Sequence, residues 1–492
     1  RECLLQLEQR FHPQARRWNL DSIVAAMCCS RNDAVSDPRL PAAVTAIRRI
    51  ALPLLIALLT ASAGADEVDP AYDRDFDPWE GIERDGRIPR VEVPEDLPNP
   101  ERWRYIPPGR IKPGSFFERL MVSSVIAPVL FRNADVGWGF GAAVIDIDFR
   151  KKRRQEFISA FASYTTEGQQ NYGVVWRRWL NQVNLPSGGI LQEERNFVTA
   201  GGGWRKTLTR RFYGIGPDTK PEDETRYTDA RGLVEANLQR TWPDPGSNLV
   251  WELGLRGEFH RLSDGVGGDP DTADVFPILF DDAEDTNLGI LNASIAWDTR
   301  DSRVNAYRGW DVGAGVSAPL LQSDWETGAI WRLWGGYILP VWGLFHRGGD
   351  PDEENPPTDV VAFRARVEQL SGEVPFYALP ALGGSTDLRG FIDGRFRDRS
   401  LWLAGLEWRF WVIPRGFRIP FTEAIRIERV GLAPFFEAGT VAHDVGDFGR
   451  AKVHLSYGFS FLLAVERLAP FRITLGWSKE DFNLSAGFGF NF

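Results

Sequence analysis

The run Leu382-Gly383-Gly384-Ser385-Thr386-Asp387-Leu388-Arg389-Gly390-Phe391 sets one arginine among glycines, and two carboxylates, Glu407 and Glu437, follow on alternating apolar segments. A guanidinium removed from water needs carboxylate partners, and its planar fork can serve two at once. The chemistry on offer is therefore holding rather than turnover: Arg389 bridging Glu407 and Glu437. Glycines on either side let the backbone come close to a wall. Independent, solvated charges on a surface turn are the other reading these residues allow. The run does not follow a strand and open a helix, so a nucleotide-phosphate cradle has no support. Catalysis has little either. His260 stands alone, His346, His443 and His454 show no metal-ligand spacing, and no nucleophile–base pair is legible. The expectation is a non-enzymatic protein without cofactor or metal.

Whether Arg389 can meet the two glutamates depends on the elements that carry them. From Leu401 to Val412 the even positions Trp402, Ala404, Leu406, Trp408 and Phe410 form an apolar face, which puts Glu407 and Arg409 on the other side. From Arg429 to Gly439, Val430, Leu432, Phe436 and Ala438 form the apolar face and Glu437 opposes it, flanked by Phe435 and Gly439. A period of two is a β-strand with two unlike faces. Both carboxylates then point to one side of one sheet.

The same alternation recurs from about residue 123 to the end. It predicts about 16 strands, near 123–131, 137–149, 155–166, 170–182, 195–206, 228–242, 248–262, 287–298, 309–319, 326–340, 358–370, 400–412, 428–439, 452–465, 470–479 and 482–492. The last segment alternates from Asp481 to Phe492, with Phe482, Leu484, Ala486, Phe488, Phe490 and Phe492 on one face. A soluble sandwich could explain that segment alone. Charged faces on so many strands, with no helical layer to cover the apolar faces, point instead to lipid outside and a wet lumen inside. Mean hydropathy of −0.26 is compatible with this, since lumen-facing residues dilute the average. Nineteen tryptophans suit aromatic girdles at two membrane interfaces. The net charge of −10, without a sustained basic run, argues against a nucleic-acid partner.

In such a barrel the odd-numbered connections should be extracellular and longer. Loops 207–227, 263–286 and 371–399 fit, whereas 341–357 and 413–427 are long loops on the expected periplasmic side. Upstream, Thr45-Ala46-Ile47-Arg48-Arg49, the apolar run Ile50 to Leu59 and Ala63-Gly64-Ala65 read as a secretory signal over 44–65. Residues 1–43 read as an N-terminal extension of doubtful standing. Residues 66–117 are acidic and proline-rich, a periplasmic tether or plug-like segment, and 118–492 is the barrel. All three cysteines precede residue 65, so the exported portion would have no disulfide.

Leu388-Arg389-Gly390-Phe391 after Gly383-Gly384 resembles the [VIL]-R-G-[FY] signature of the BamA/TamA outer-membrane family, the bacterial surface antigen type of barrel. Phe435-Phe436-Glu437-Ala438-Gly439 is similar to that family's F-x-D-x-G strand motif, with Glu where Asp is usual. Gly405-Leu406-Glu407-Trp408-Arg409-Phe410, Asp298-Thr299-Arg300-Asp301 and Tyr213-Gly214-Ile215-Gly216 also look like pieces of related barrels. The resemblance spans roughly 120–492. It implies a transmembrane antiparallel barrel of 16 strands whose sixth extracellular loop is pinned inside by Arg389, with a weak seam between first and last strands. It also implies a role in outer-membrane protein assembly or polypeptide and lipid translocation. Residues 66–115 are too short for a POTRA domain, which suggests a POTRA-less member. The partners expected are outer-membrane lipid and lipopolysaccharide, the assembly machinery that inserts the chain itself through Phe488, Phe490 and Phe492 as a C-terminal targeting signal, and a periplasmic protein. A passive diffusion channel using Glu252, Arg256, Arg364 and Arg366 for selectivity is the alternative.

Overall fold

The computed structural model describes residues 81–108, 124–133, 137–151, 153–267, 270–322, 327–349, 352–418, 426–465, 470–480 and 482–490. The expected signal segment, the N-terminal extension and Phe492 lie outside them. Among the described residues the main body is one antiparallel sheet of sixteen strands, with the two-residue Phe417–Arg418 paired to the thirteenth. The first eight are β1 (Ser124–Asn133), β2 (Gly137–Asp146), β3 (Glu156–Thr165), β4 (Gln170–Trp179), β5 (Phe197–Phe212), β6 (Thr225–Trp242), β7 (Leu249–Asp264) and β8 (Asp285–Asp298). The rest are β9 (Gly309–Gln322), β10 (Ala329–Val341), β11 (Asp359–Ser371), β12 (Ser400–Ile413), β13 (Arg426–Ala442), β14 (His454–Val465), β15 (Phe471–Trp477) and β16 (Phe482–Phe488). Each pairs with the next, and the sheet curls into a barrel.

The two faces of the sheet are inverted relative to a soluble protein. Outside, Leu253, Leu255, Ile295, Trp331, Leu333, Phe436 and Leu484 are exposed; inside, Arg389, Glu407, Arg409, Glu437 and Arg472 are buried. Large exposed apolar side chains in such number need lipid, not water. Exposed Trp242, Trp297, Trp310 and Trp342 sit at the strand ends that carry the even-numbered turns, an interfacial girdle. No helix among the described residues is long and apolar enough to cross a membrane; the strands form the wall.

Two boundaries depart furthest from the expected ones. β5 runs to Phe212 rather than to about 206, because a register shift between Thr207 and Arg210 breaks the period of two without ending the ladder. At the C-terminus, the strand expected over 482–492 stops at Phe488. Gly489 takes φ +83 and its N–H bonds Pro470 O at 2.8 Å, which turns the chain inward. Phe490, expected on the lipid face, instead packs with Trp411, Ala433, Leu462 and Ala464, with the Arg409 guanidinium 3.7 Å from its ring centroid. The cation and the apolar pocket inside outweigh the in-plane alternation.

Residues 81–108 form a strap along the rim of the even-numbered turns. Pro89 bridges Glu353, Arg90 N–H donates to Asp352 O at 2.8 Å, and Arg415 forks onto Glu353 at 2.6 and 2.9 Å. Further on, Asn99 Nδ2 and Arg102 Nη1 reach Gly246 O and Asn248 Oδ1 at 2.9 and 2.6 Å. Trp103–Ile106 then pairs with Ile190–Glu193 in the β4–β5 connection. With Gly86 beside Arg415 and Gly416, the strap visits the β12–β13, β10–β11, β6–β7 and β4–β5 turns in order. The two long connections that broke the loop-length rule provide its first anchorage.

Asp298-Thr299-Arg300-Asp301 builds the β8–β9 turn. Asp298 accepts from Arg195 Nε and Arg300 Nε, each at 3.0 Å, and Asp301 Oδ1 accepts the N–H groups of Ser302 and Tyr307 at 2.9 and 3.1 Å. Burial pushes the Asp301 carboxyl up to about 6. An acid whose pKa is higher folded than unfolded favours the folded turn at low pH, and that advantage is lost as pH rises from about 4 to about 6. Hydrogen exchange at Ser302 and Tyr307, corrected for intrinsic rate, should therefore quicken over that window. Asp301→Asn should flatten the dependence.

Candidate functional site

The β11–β12 connection does not stay outside the barrel. Leu382, Leu388, Phe391 and Phe396 are buried against Leu401, Leu403 and Val441 of the wall, so the loop is folded into the lumen with its own apolar core. Its path requires the paired glycines: Gly383 sits at φ +109, where a Cβ would also lie 2.3 Å from Ile392 O. Leu388 is at φ 44, a costly region for a branched side chain, and it delivers Arg389 to the wall.

Strand register prepares the landing site. Arg364, Gly405, Glu437 and Ser456 lie opposite one another across β11 to β14. One level away, Glu407, Phe435, Gly458, Gly476 and Asn483 form a second row across β12 to β16. Inward-facing acids, an aromatic and small residues thus make a continuous floor.

Arg389 is fully buried on that floor. Its Nε donates to Glu437 at 3.1 Å and its Nη1 to Glu407 at 2.6 Å. Its backbone N–H donates to Glu437 at 2.8 Å, and its guanidinium lies 3.6 Å from the Phe435 ring centroid. Gly390 N–H donates to Ser456 Oγ at 2.7 Å, and Asn483 Nδ2 donates to Arg389 O and Phe391 O at 3.0 and 3.2 Å. Gly439 keeps open a space that Leu382 uses: a Cβ there would meet Leu382 Cδ1 at 3.1 Å and Trp402 O at 2.8 Å.

Each acid also serves a second cation. Glu437 accepts from Arg364 at 2.7 Å, and Glu407 accepts from Arg409 at 2.8 Å. Asp387 of the loop takes Arg366 at 2.9 Å and lies 3.4 Å from Arg364. Alternating signs therefore run from Arg366 to Arg409 and, through the latter, to Phe490. Such a network holds position; no group in it is set up to attack or to transfer a proton.

The structure thus brings Gly383, Gly384, Leu388, Arg389, Gly390, Phe391, Glu407, Phe435, Glu437 and Gly439 together. Phe490 joins them through Arg409; the side chain of Phe488 is not among those described. Parity on β11 placed Arg364 and Arg366 in the lumen but suggested pore selectivity, whereas here they clamp Asp387 and Glu437. Asp387, Ser456, Arg472, Gly476 and Asn483 went unnoticed as partners. For Asn483 alone there was a signal, the run of small polar residues on the inward face of the last strand.

Tyr213-Gly214-Ile215-Gly216 ties the β5–β6 loop onto the same structure. Gly216 N–H donates to Arg397 O at 2.8 Å, and Arg395 lies over the Tyr213 ring at 4.3 Å while donating to Thr219 and Glu480. Burial and the adjacent Glu224 carboxylate raise the Tyr213 phenol well above its ordinary range.

A model of the Omp85 superfamily domain matches residues 203–492, a span that includes the loop and both glutamates. Among solved structures, BamA from Haemophilus ducreyi lacking POTRA domains 1–3 aligns at 12% identity and TM-score 0.43, over 74% of this chain and 69% of that one. CdiB from Acinetobacter baumannii aligns at 12% identity and TM-score 0.39, over 73% of this chain and 57% of that one. No curated protein matches.

Proposed function

We infer that this chain, which belongs to the Omp85 superfamily, acts without enzymatic chemistry at the bacterial outer membrane, assembling barrel proteins or passing polypeptide or lipid. The family is one of outer-membrane β-barrels, so the even-turn rim with its strap is assigned to the periplasm and the odd-turn rim to the outside. The observation that carries the reading is the loop held inside by Arg389 between Glu407 and Glu437. It fills the lumen beside β11 to β16, the part of the wall that ends in the shortest strands. β15 and β16 have seven residues each against eighteen in β6. At ~3.3 Å per residue and ~40° tilt, seven residues span about 18 Å, less than the ~25 Å apolar band of such barrels. Lipid beside β16 must thin to match, which lowers the barrier to strand entry there. A lumen filled on one side by the loop speaks against a wide, static pore.

The test is reconstitution into liposomes. The folded protein should speed insertion of a urea-denatured second barrel protein several-fold over empty liposomes, and planar bilayers should show a mostly closed channel. A large, steady conductance without any effect on insertion would assign the chain to passive diffusion instead.

A further inference from the structure

The opposite half of the lumen, along β6 to β10, is not filled by the loop. It holds a cavity of about 230 Å³ that adjoins another of about 400 Å³ through Arg256, Ser317 and Ile330. The wall of the first includes Tyr227 and Tyr377, and the Tyr377 ring stacks on His260 at 4.4 Å. Four guanidiniums line it, and each comes from a different element: Arg210 of β5, Arg231 of β6, Arg256 of β7 and Arg397 of the folded-in loop.

The acids of the lining do not satisfy this group. The lining carboxylates are Asp229 and Glu258, so four cations face two anions. His260 takes a hydrogen-bonding position on each, at 3.0 and 3.2 Å. The arginine contacts are correspondingly long: Arg210 to Asp229 at 3.9 Å, Arg231 to Glu258 at 3.5 Å and Arg256 to Glu258 at 3.4 Å. A charge-assisted bond would be near 2.8 Å, as at Arg389. Arg210 also reaches Asp393 at 2.9 Å, but that side chain is 76% exposed and lies outside the cavity lining. Arg397 donates to the Tyr377 carbonyl rather than to an acid. Nε of Arg210 and Nε of Arg256 are buried with no hydrogen-bond partner among the described residues.

We propose that this cavity is a binding site for a phosphate-class oxyanion, held by Arg210, Arg231, Arg256 and Arg397. Donors converging from four elements suit a tetrahedral oxyanion, and the lining holds two more guanidiniums than carboxylates. The volume admits a phosphate with water. A free phosphate or the phosphate of a lipid headgroup would present the same chemistry. The proposal stands apart from the assembly reading, since neither Arg389 nor its glutamates take part.

Isothermal titration of the folded protein in a non-ionic detergent, at matched ionic strength, tests it with inorganic phosphate and with chloride as control. Saturable binding of phosphate is expected, weakened about tenfold by Arg256→Gln, the loss of roughly one charge-assisted contact. Ser317→Phe, which fills the cavity and leaves every charge in place, should weaken it likewise. A phosphorylated lipid A probe separates the sources. Displacement of the probe by phosphate supports a headgroup occupant, and phosphate binding without probe binding supports the free anion. No saturable phosphate binding, or equal binding in both variants with heat-modifiable mobility intact, would overturn the site.

Discussion

Arg389→Ala is expected to release the β11–β12 loop from the lumen while most of the barrel wall stays folded. The substitution removes a fully buried cation that holds two acids and stacks on Phe435. Breaking a buried ion pair typically costs 3–5 kcal/mol, and the lower end applies here, about 3 kcal/mol. The reason is that neither acid is stranded: Glu437 keeps Arg364 at 2.7 Å and Glu407 keeps Arg409 at 2.8 Å. At 1.4 kcal/mol per tenfold, the open loop becomes roughly a hundredfold more populated. Arg395, Arg397 and Arg399 are trypsin sites on that loop, so cleavage there should accelerate by a similar factor, provided opening is fast relative to cutting. Heat-modifiable mobility should weaken as well. Arg389→Lys should fall between, since a point charge cannot fork onto two carboxylates. Unchanged trypsin kinetics and unchanged mobility would remove the latch from the account.

Much of this is legible in the sequence, and the reason is the period of two. Lipid on one face and a wet lumen on the other force every strand to alternate, so parity alone sorted Glu407 and Glu437 inward and Trp408 and Phe436 outward. The fold followed from the same rule. What alternation cannot supply is level, meaning which inward residue stands beside which. The row Glu407, Phe435, Gly458, Gly476, Asn483 depends on strand registers set by turns and bulges, and glycine or serine carries no hydrophobic signal to mark it. Arg364 illustrates the limit: its direction was right, but its partner became visible only with the register. Phe490 fails for a different reason. Its alternation continues through Gly489, and only the left-handed turn there, with a cation waiting inside, sends it the other way.

That reliance on level makes a single methyl group the sharper test. A Cβ on Gly476 would stand 2.3 Å from Arg389 O, 2.6 Å from Arg389 C and 2.8 Å from Gly390 N. These are backbone atoms, not the ends of flexible side chains, and they are tied from the other directions. Ser456 holds Gly390 N–H, Asn483 holds Arg389 O, and Glu437 holds Arg389 N–H. Ordinary packing requires well over 3 Å, so the loop or β15 must give by about 1 Å, and packed interiors resist such shifts. A displacement of that size would stretch the Arg389 hydrogen bonds out of range. Gly476→Ala should therefore reproduce Arg389→Ala in trypsin kinetics and mobility, although it removes no charge and no donor. Gly390→Ala should do the same, because its Cβ would meet Trp477 O at 2.3 Å. The decisive measurement is the double variant. If the methyl acts by unseating Arg389, Gly476→Ala adds little in an Arg389→Ala background, and the coupling nearly equals the single effect. If the two losses add, Gly476 supports β15 for a reason of its own, and the close approach of loop and wall is not what holds Arg389 in place.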